Sequence, residues 1–315
     1  MTRRTFLNTT LTGGVIVAAG GLQKLASAAT GPTTKSSFLL AGDLSVNRLG
    51  FGAMRLTGEG IWGWPADREN AKKVLRRAVE LGVNFIDTAD AYGPEVSELL
   101  IAEALHSYPA GLVIATKGGL TRPGPGRWVP NGRPEYLTQC VEKSLKRLKL
   151  ERIDLYQLHR IDRNVPVEES LGALKKLQDA GKIRHVGLSE VSVKEIEQAR
   201  KVLPIVSIQN EYNIADRGSD NALAYCEKEK LGFIPWSPVG GGRSSFTKSG
   251  PLEAEAKRHG VTVYQLALAW LLQRSPVMLP IPGTSSLAHL EENMASAKIE
   301  LTPAEWKGIE EVARG

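Results

Sequence analysis

Asn84-Phe85-Ile86-Asp87-Thr88, the amphipathic run Val96 to Ser107, and Leu112-Val113-Ile114-Ala115-Thr116 read as a short apolar strand, a helix and a second short apolar strand. Strands this apolar are buried on both faces, and a helical crossover between them brings them together in parallel. The alternation continues on either side. Further strands are predicted over Arg48 to Met54, Ile153 to Leu158, His185 to Leu188, Val206 to Gln209, Phe233 to Trp236 and Met278 to Ile281. Helical patterns separate them at Arg68 to Leu81, Glu135 to Leu148, Val167 to Ala180, Val193 to Val202, Asp220 to Lys230 and Thr262 to Gln273, and a C-terminal helix follows at Leu287 to Ala297. Gly82, Gly181 and Gly232 come at the ends of helical runs, where glycine accepts the left-handed cap. Eight strands alternating with helices match an α/β fold, the closed (β/α)8 TIM barrel. An open doubly wound sheet is the competing architecture; against it, Gly50-Phe51-Gly52 does not open a helix as a dinucleotide fingerprint does. Ahead of the first strand, Ser37 to Leu40 and Leu44 to Val46 flank Gly42-Asp43 and predict a short N-terminal β-hairpin. One barrel domain is therefore expected over residues 37–315.

A chain of 315 residues, 42% hydrophobic and 23% charged, can bury a large core, which excludes disordered, collagenous and small disulfide-scaffold classes. Three of its six net positive charges come from Arg3, Arg4 and Lys24, in a segment without acids. The remainder is too mild to argue for a nucleic-acid partner. Residues 1–28 read as an address. Thr2-Arg3-Arg4-Thr5-Phe6-Leu7 carries the charge, Leu11 to Leu22 is weakly apolar, and Ala26-Ser27-Ala28 offers a cleavage site before Ala29. The paired arginines resemble a twin-arginine signal, which implies the twin-arginine export machinery as a partner and a periplasmic destination. Gly13, Gly14, Gly20 and Gly21 in so short a stretch argue against a membrane anchor. Residues 29–36 are then a polar linker. Cys140 and Cys226 fall in helical patterns and read as packed thiols.

In a barrel of this kind the active site is built where the strands end and in the loops that follow. Strand two ends in Asp87-Thr88 with Tyr92 beyond it, strand three in Lys117, strand four in Gln157-Leu158-His159, strand six in Gln209-Asn210 and strand seven in Trp236-Ser237. Each residue alone has an ordinary structural explanation. Together, a carboxylate, a phenol, an ammonium and an imidazole form a proton-transfer set. Lys117 beside Tyr92 is expected to pull the phenol down from about 10, Asp87 to keep the lysine charged, and His159 to hydrogen-bond a substrate oxygen. The loop Ser237-Pro238-Val239-Gly240-Gly241-Gly242-Arg243 combines close backbone approach with one guanidinium, which suits a pyrophosphate; a flexible lid is the alternative. Trp62, Trp64, Tyr92, Trp128 and the segment Arg122 to Arg133 are expected to line an outer pocket.

The motifs Asn84 to Gly93, Ala115 to Gly119, Leu155 to His159, Val186 to Ser189, Gln209 to Asn213, Ile281 to Ser286 and His289 to Asn293 resemble the aldo-keto reductase family, in its bacterial, pyridoxal reductase-like branch. The resemblance runs from about Ser45 to the C-terminus. It implies NADP, or NAD, as hydride carrier and a small carbonyl compound as substrate. It implies Tyr92 as proton donor, Asp87 and Lys117 as its tuning pair, and His159 as the group that orients the carbonyl. It further implies that Trp236 stacks on the nicotinamide and that Ser189 and Gln209 bond its carboxamide; Glu190 stands where relatives carry asparagine, so carboxamide binding is either rearranged or shifted to Asn210. Gly283-Thr284 and His289 stand where many relatives carry cations, which weakens the case for a 2′-phosphate. Thr284, Ser285 and His289 are its remaining candidates, with Glu292 and Asn293 at the adenine. Because dinucleotide is expected to be scarce outside the cytoplasm, an exported sensor that binds the cofactor without sustained turnover is the alternative function.

Overall fold

The computed structural model describes residues 36–240 and 250–314. The expected export segment, residues 29–35 of the linker, and Gly241, Gly242 and Arg243 of the glycine loop lie outside the described residues. Two short strands, β1 (Ser37–Leu40) and β2 (Leu44–Asn47), form the expected antiparallel hairpin. The main sheet starts with β3 (Phe51–Gly52), β4 (Phe85–Asp87) and β5 (Val113–Gly118). A second antiparallel hairpin, β6 (Leu120–Gly124) and β7 (Arg127–Pro130), interrupts it and was not foreseen as strands. The sheet resumes with β8 (Ile153–Leu158), β9 (Ile183–Ser189), β10 (Ile205–Gln209) and β11 (Gly232–Phe233). It is parallel throughout, in the order β3-β4-β5-β8-β9-β10-β11.

Residues 277–282 close this sheet into a ring. Phe233 N–H donates to Val277 O (2.9 Å) and Leu279 N–H to Phe233 O (2.8 Å) on one side; Gly50 N–H donates to Pro280 O (2.9 Å) and Gly52 N–H to Pro282 O (3.4 Å) on the other. The predicted eighth strand is thus in place but forms no regular ladder, because Pro280 and Pro282 have no N–H to donate. Closure requires glycine: a Cβ on Gly52 would stand 2.7 Å from Ile281 O, and one on Gly283 would overlap Gly52 O. The seventh strand is shortened for the same reason as the eighth, Pro235, although Ile234 N–H still donates to Ile208 O (2.8 Å) and Trp236 N–H to Asn210 O (3.1 Å). The first strand is shorter than predicted because the chain turns into a 3-10 helix over Ala53–Leu56.

Side chains alternate along each strand, and the inward column runs from apolar to polar. Leu40, Leu44 and Val46 of the hairpin pack with Phe85, Val113, Ala115, Leu155, Ile234 and Leu279 and plug the amino end of the barrel. Two residues further along the same faces come Asp87, Lys117 and Gln157. Outward residues such as Ile86, Ile114, Tyr156, Leu158, Val186 and Leu188 are covered by helices. These are α1 (Arg68–Glu80), α2 (Val96–Leu105), α3 (Pro134–Leu148), α4 (Val167–Asp179), α5 (Val193–Arg200), α6 (Asp220–Glu229), α7 (Gly250–Arg258), α8 (Val263–Arg274) and α9 (Leu287–Ala295). A further helix not foreseen, α10 (Pro303–Arg314), ends the described chain. Asp67 caps α1, and the pairs Ser192–Glu195 and Thr262–Gln265 form capping boxes on α5 and α8. Gly82 (φ 92°) and Gly181 (φ 74°) adopt the expected left-handed caps. Gly232 does not: Lys230 (φ 58°) takes that turn, and Gly232 is needed where a Cβ would meet Leu40 Cδ1 at 2.6 Å. Cys140 and Cys226 are free, buried thiols, as expected. No helix among the described residues is long and apolar enough to cross a membrane.

Candidate active site

Strand register decides what gathers at the open, polar end. Pairing sets Asp87 level with Ala115, Lys117 with Gln157, Gln157 with Gly187, and Ser189 with Gln209. Lys117 is fully buried, and its ammonium has three protons for three acceptors. They are Asp87 Oδ1 (2.6 Å), Thr88 O (2.8 Å) and Tyr92 Oη (3.2 Å). Asp87 Oδ2 accepts from Gln157 Nε2 (3.1 Å) and Gln209 Nε2 (2.8 Å). Tyr92 is held by its backbone: its N–H donates to Ala89 O (3.2 Å), its carbonyl accepts from Ser97 N–H (3.1 Å), and Asp90 N–H ties the loop to Lys117 O (3.1 Å). Since Tyr92 Oη accepts from Lys117, its own proton remains for a partner at the mouth.

Burial opposes the charge on Lys117, but Asp87 and Tyr92 outweigh it and hold the ammonium above its ordinary range. Tyr92 departs from the sequence expectation. Burial raises its phenol above the usual value; Lys117 pulls the other way, and Asp87 offsets that pull. The lysine charge is neutralised at 2.6 Å, so little of it is left to favour a phenolate that burial disfavours. Tyr92 is consequently a phenol at neutral pH. His159 stands edge-on to it, with ring centroids 5.8 Å apart, and its backbone N–H donates to Gly118 O at 2.9 Å. Burial, then Lys117, Arg160 and Arg122, push the imidazole well below its ordinary value, so it is neutral. Its Nδ1 is sealed without a hydrogen-bond partner. An orphaned acceptor is better tolerated than an orphaned N–H, which assigns the proton to Nε2. A phenol with a proton to give and a neutral imidazole N–H can together bind and protonate an oxygen.

Part of the expected outer pocket is present. Trp128 lies 6.2 Å from Tyr92 and 6.4 Å from His159, and Arg122 stacks on it at 3.5 Å. Trp62 pairs with Gly93 next to Tyr92, whereas Trp64 is turned outward beneath Arg68 (4.0 Å).

The residues expected at a cofactor fall into three groups. Ser189 Oγ, at the end of β9, accepts from Arg160 Nη1 (3.0 Å), whereas Gln209 turns its amide nitrogen inward to Asp87. Trp236 donates its indole N–H to Glu190 Oε1 (2.5 Å), and Glu190, at φ 57°, also accepts from Glu211 N–H (2.8 Å). Ser237, Pro238 and Gly240 form a tight turn in which Gly240 N–H donates to Ser237 O (2.9 Å). At the amino end of α9, Thr284 Oγ1 accepts from Ser286 N–H (3.0 Å) and Ser286 Oγ from His289 N–H (3.4 Å). Glu292 differs from its expected place: its carboxylate accepts from Thr262 Oγ (2.5 Å) and its carbonyl from Gln265 Nε2 (3.0 Å), which locks α9 to α8. Asn293 is buried. Arg160 and Arg55 were missed as functional candidates, and Gln157 was named at its strand end without a role. Gln157 and Arg160 flank His159 at the end of β8, and their position was the available signal. Arg55 passes the α9 corner, 3.7 Å from where a Gly283 Cβ would be.

Residues 48–314 match the Aldo/keto reductase family. The chain is 48% identical over 291 residues to an uncharacterized oxidoreductase of Schizosaccharomyces pombe, covering 92% of this chain and 94% of that protein. It is 42% identical over 287 residues to pyridoxine 4-dehydrogenase of Escherichia coli, covering 89% and 99%. An aldo/keto reductase of Klebsiella pneumoniae, solved in complex with NADP and acetate, superposes with a TM-score of 0.75 at 26% identity, covering 88% of this chain and 95% of that one. Closed barrel, polar mouth and matched span agree: this chain belongs to the aldo/keto reductase family.

Proposed function

We propose that Tyr92 is the proton donor in the NAD(P)H-dependent carbonyl reduction that this chain, as an aldo/keto reductase, carries out. The observation that carries the reading is the saturated Lys117 ammonium, which donates to Tyr92 Oη and leaves the phenol proton free. Asp87 keeps Lys117 charged, Gln157 and Gln209 keep Asp87 in place, and His159 Nε2–H orients the carbonyl oxygen. As Tyr92 gives its proton to the forming alkoxide, the adjacent ammonium steadies the phenolate that remains. In the reverse direction Tyr92 takes the alcohol proton.

The bound dinucleotide supplies the hydride. The residues present fit it in part. Ser189, Trp236 and the Ser237-Pro238-Gly240 turn flank the tetrad, and the amino end of α9 with Thr284 and His289 suits a phosphate. The K. pneumoniae relative was solved with NADP, and Arg55 offers a cation where the family's usual ones are absent, which together favour NADP here. Glu190 and Gln209 offer the carboxamide no free N–H, which leaves its carbonyl to the Ser189 hydroxyl. Likeness to pyridoxine 4-dehydrogenase supports the pyridoxal reductase-like branch and an aldehyde–alcohol pair as substrate. Arg3-Arg4, the apolar run and Ala26-Ser27-Ala28 support export through the twin-arginine machinery to the periplasm. A binding-only role would leave the Lys117–Asp87–glutamine network without a use.

The test is Tyr92→Phe. The variant is expected to bind dinucleotide by fluorescence titration yet lose roughly 10²- to 10⁴-fold in single-turnover hydride transfer. Transfer at the wild-type rate would overturn the assignment.

A further inference from the structure

We propose that Arg160 is a substrate-binding residue that selects carbonyl compounds carrying a carboxylate or similar oxyanion near the reacting group; the proposal rests on Tyr92 and His159 meeting the carbonyl oxygen. Three cations act on the His159 imidazole: Lys117, Arg160 and Arg122. Lys117 is committed to Asp87, Thr88 and Tyr92. Arg122 is built into the wall, donating to Ala91 O (2.6 Å), Arg127 O (3.1 Å) and Ile61 O (3.3 Å) while it stacks on Trp128. Arg160 differs from both. Among the described residues only its Nη1 is engaged, on His159 O (2.7 Å) and Ser189 Oγ (3.0 Å). Among the described residues, no acceptor meets its Nε or Nη2, and no carboxylate approaches it within 4.0 Å.

Glu190, the acid that acts on Arg160 at longer range, already accepts from the Trp236 indole and from Glu211 N–H. A guanidinium remains charged when half-buried, and a buried charge without a partner is costly. Nε and Nη2 form one edge of the planar group, the edge that takes a carboxylate through two parallel hydrogen bonds. Nη1 pins the opposite side to the ends of β8 and β9. The guanidinium thereby stands within electrostatic reach of both Tyr92 and His159, one residue from the imidazole that orients the carbonyl, with this edge unpartnered among the described residues. A neutral substrate leaves this cation uncompensated; an anionic one completes it.

The test compares kcat/KM for 3- and 4-carboxybenzaldehyde with their methyl esters, matched in shape, in the wild type, Arg160→Met and Arg160→Lys. Charged hydrogen bonds contribute about 1.5–3 kcal/mol, so the wild type is expected to prefer the acid of at least one isomer by about 10- to 100-fold. Arg160→Met should bring that ratio near unity, mainly through KM, and Arg160→Lys should restore part of it. Three results would overturn the proposal: equal wild-type turnover of acid and ester, a preference that survives Arg160→Met, or a loss in Arg160→Met confined to dinucleotide affinity. Turnover of neither member of any pair would sink the underlying reading of Tyr92 and His159, and the proposal with it.

Discussion

Asp87→Asn keeps the shape of the side chain and removes the only carboxylate paired with Lys117 among the described residues. With Nζ 2.6 Å from Oδ1, the pair's gross attraction is about 6 kcal/mol at an effective dielectric of about 20. Removing one partner of a buried pair costs about 3–5 kcal/mol net, because the survivor is stranded. For a domain of this size that is a fall in Tm of roughly 6–20 °C. The variant also reverses a pH dependence. In the wild type the ammonium is held above its ordinary value of 10.5, so its contribution is complete below that pH and is lost as pH rises through the higher folded value. In Asp87→Asn burial is opposed by Tyr92 alone, and the folded value drops below the unfolded one. The unfolded state then binds more protons, and the stability of the variant rises with pH between the two values. Urea denaturation of both proteins from pH 7 to 10 reads magnitude and slope. Over that range the wild-type contribution is complete and flat, so a variant within 1 kcal/mol of wild type, with no rise in stability with pH relative to it, would refute the account of Lys117 as a charge kept in place by Asp87.

Other outcomes follow from the same geometry. Gly118→Ala would drive a methyl group into Tyr156 Oη and to 2.9 Å from Cys140 Cβ, costing at least about 1–3 kcal/mol in chemical denaturation. Adding Tyr156→Phe, which removes a buried hydroxyl without a partner, should recover part of it; no recovery would point to a different clash. Arg147→Met strands the fully buried Glu98, now paired at 2.6 Å, and should cost about 3–5 kcal/mol unless Glu98→Gln accompanies it. Arg3→Lys with Arg4→Lys should keep the chain in the cytoplasmic fraction, whereas unchanged export would reject the twin-arginine reading.

The α/β alternation and the parallel sheet were legible because burial on both faces leaves strands continuously apolar, and the half-buried N-terminal hairpin was legible from its Gly42-Asp43 turn. The gathering of Asp87, Tyr92, Lys117 and His159 at one end of the ring was legible as well. Strand periodicity sets Phe85 and Asp87 on one face, as it does Ala115 and Lys117, so an apolar base must lead to a polar end. Other features depended on neighbours far along the chain. Gly232 looks like a helix cap until Leu40 is packed against it, and Glu292 looks available until Thr262 reaches it. Arg160 is an ordinary arginine until it is known that, among the described residues, no carboxylate pairs with it.

Sequence by itself determined which residue types stand at each strand end and which way they face, since the two-residue repeat is a local property of the backbone. Tertiary structure alone decided that Tyr92 stays a phenol. Its ionisation depends on burial and on whether the Lys117 charge is already neutralised, and both follow from distances among residues 87, 92, 117, 157 and 209 that exist only once the ring has closed.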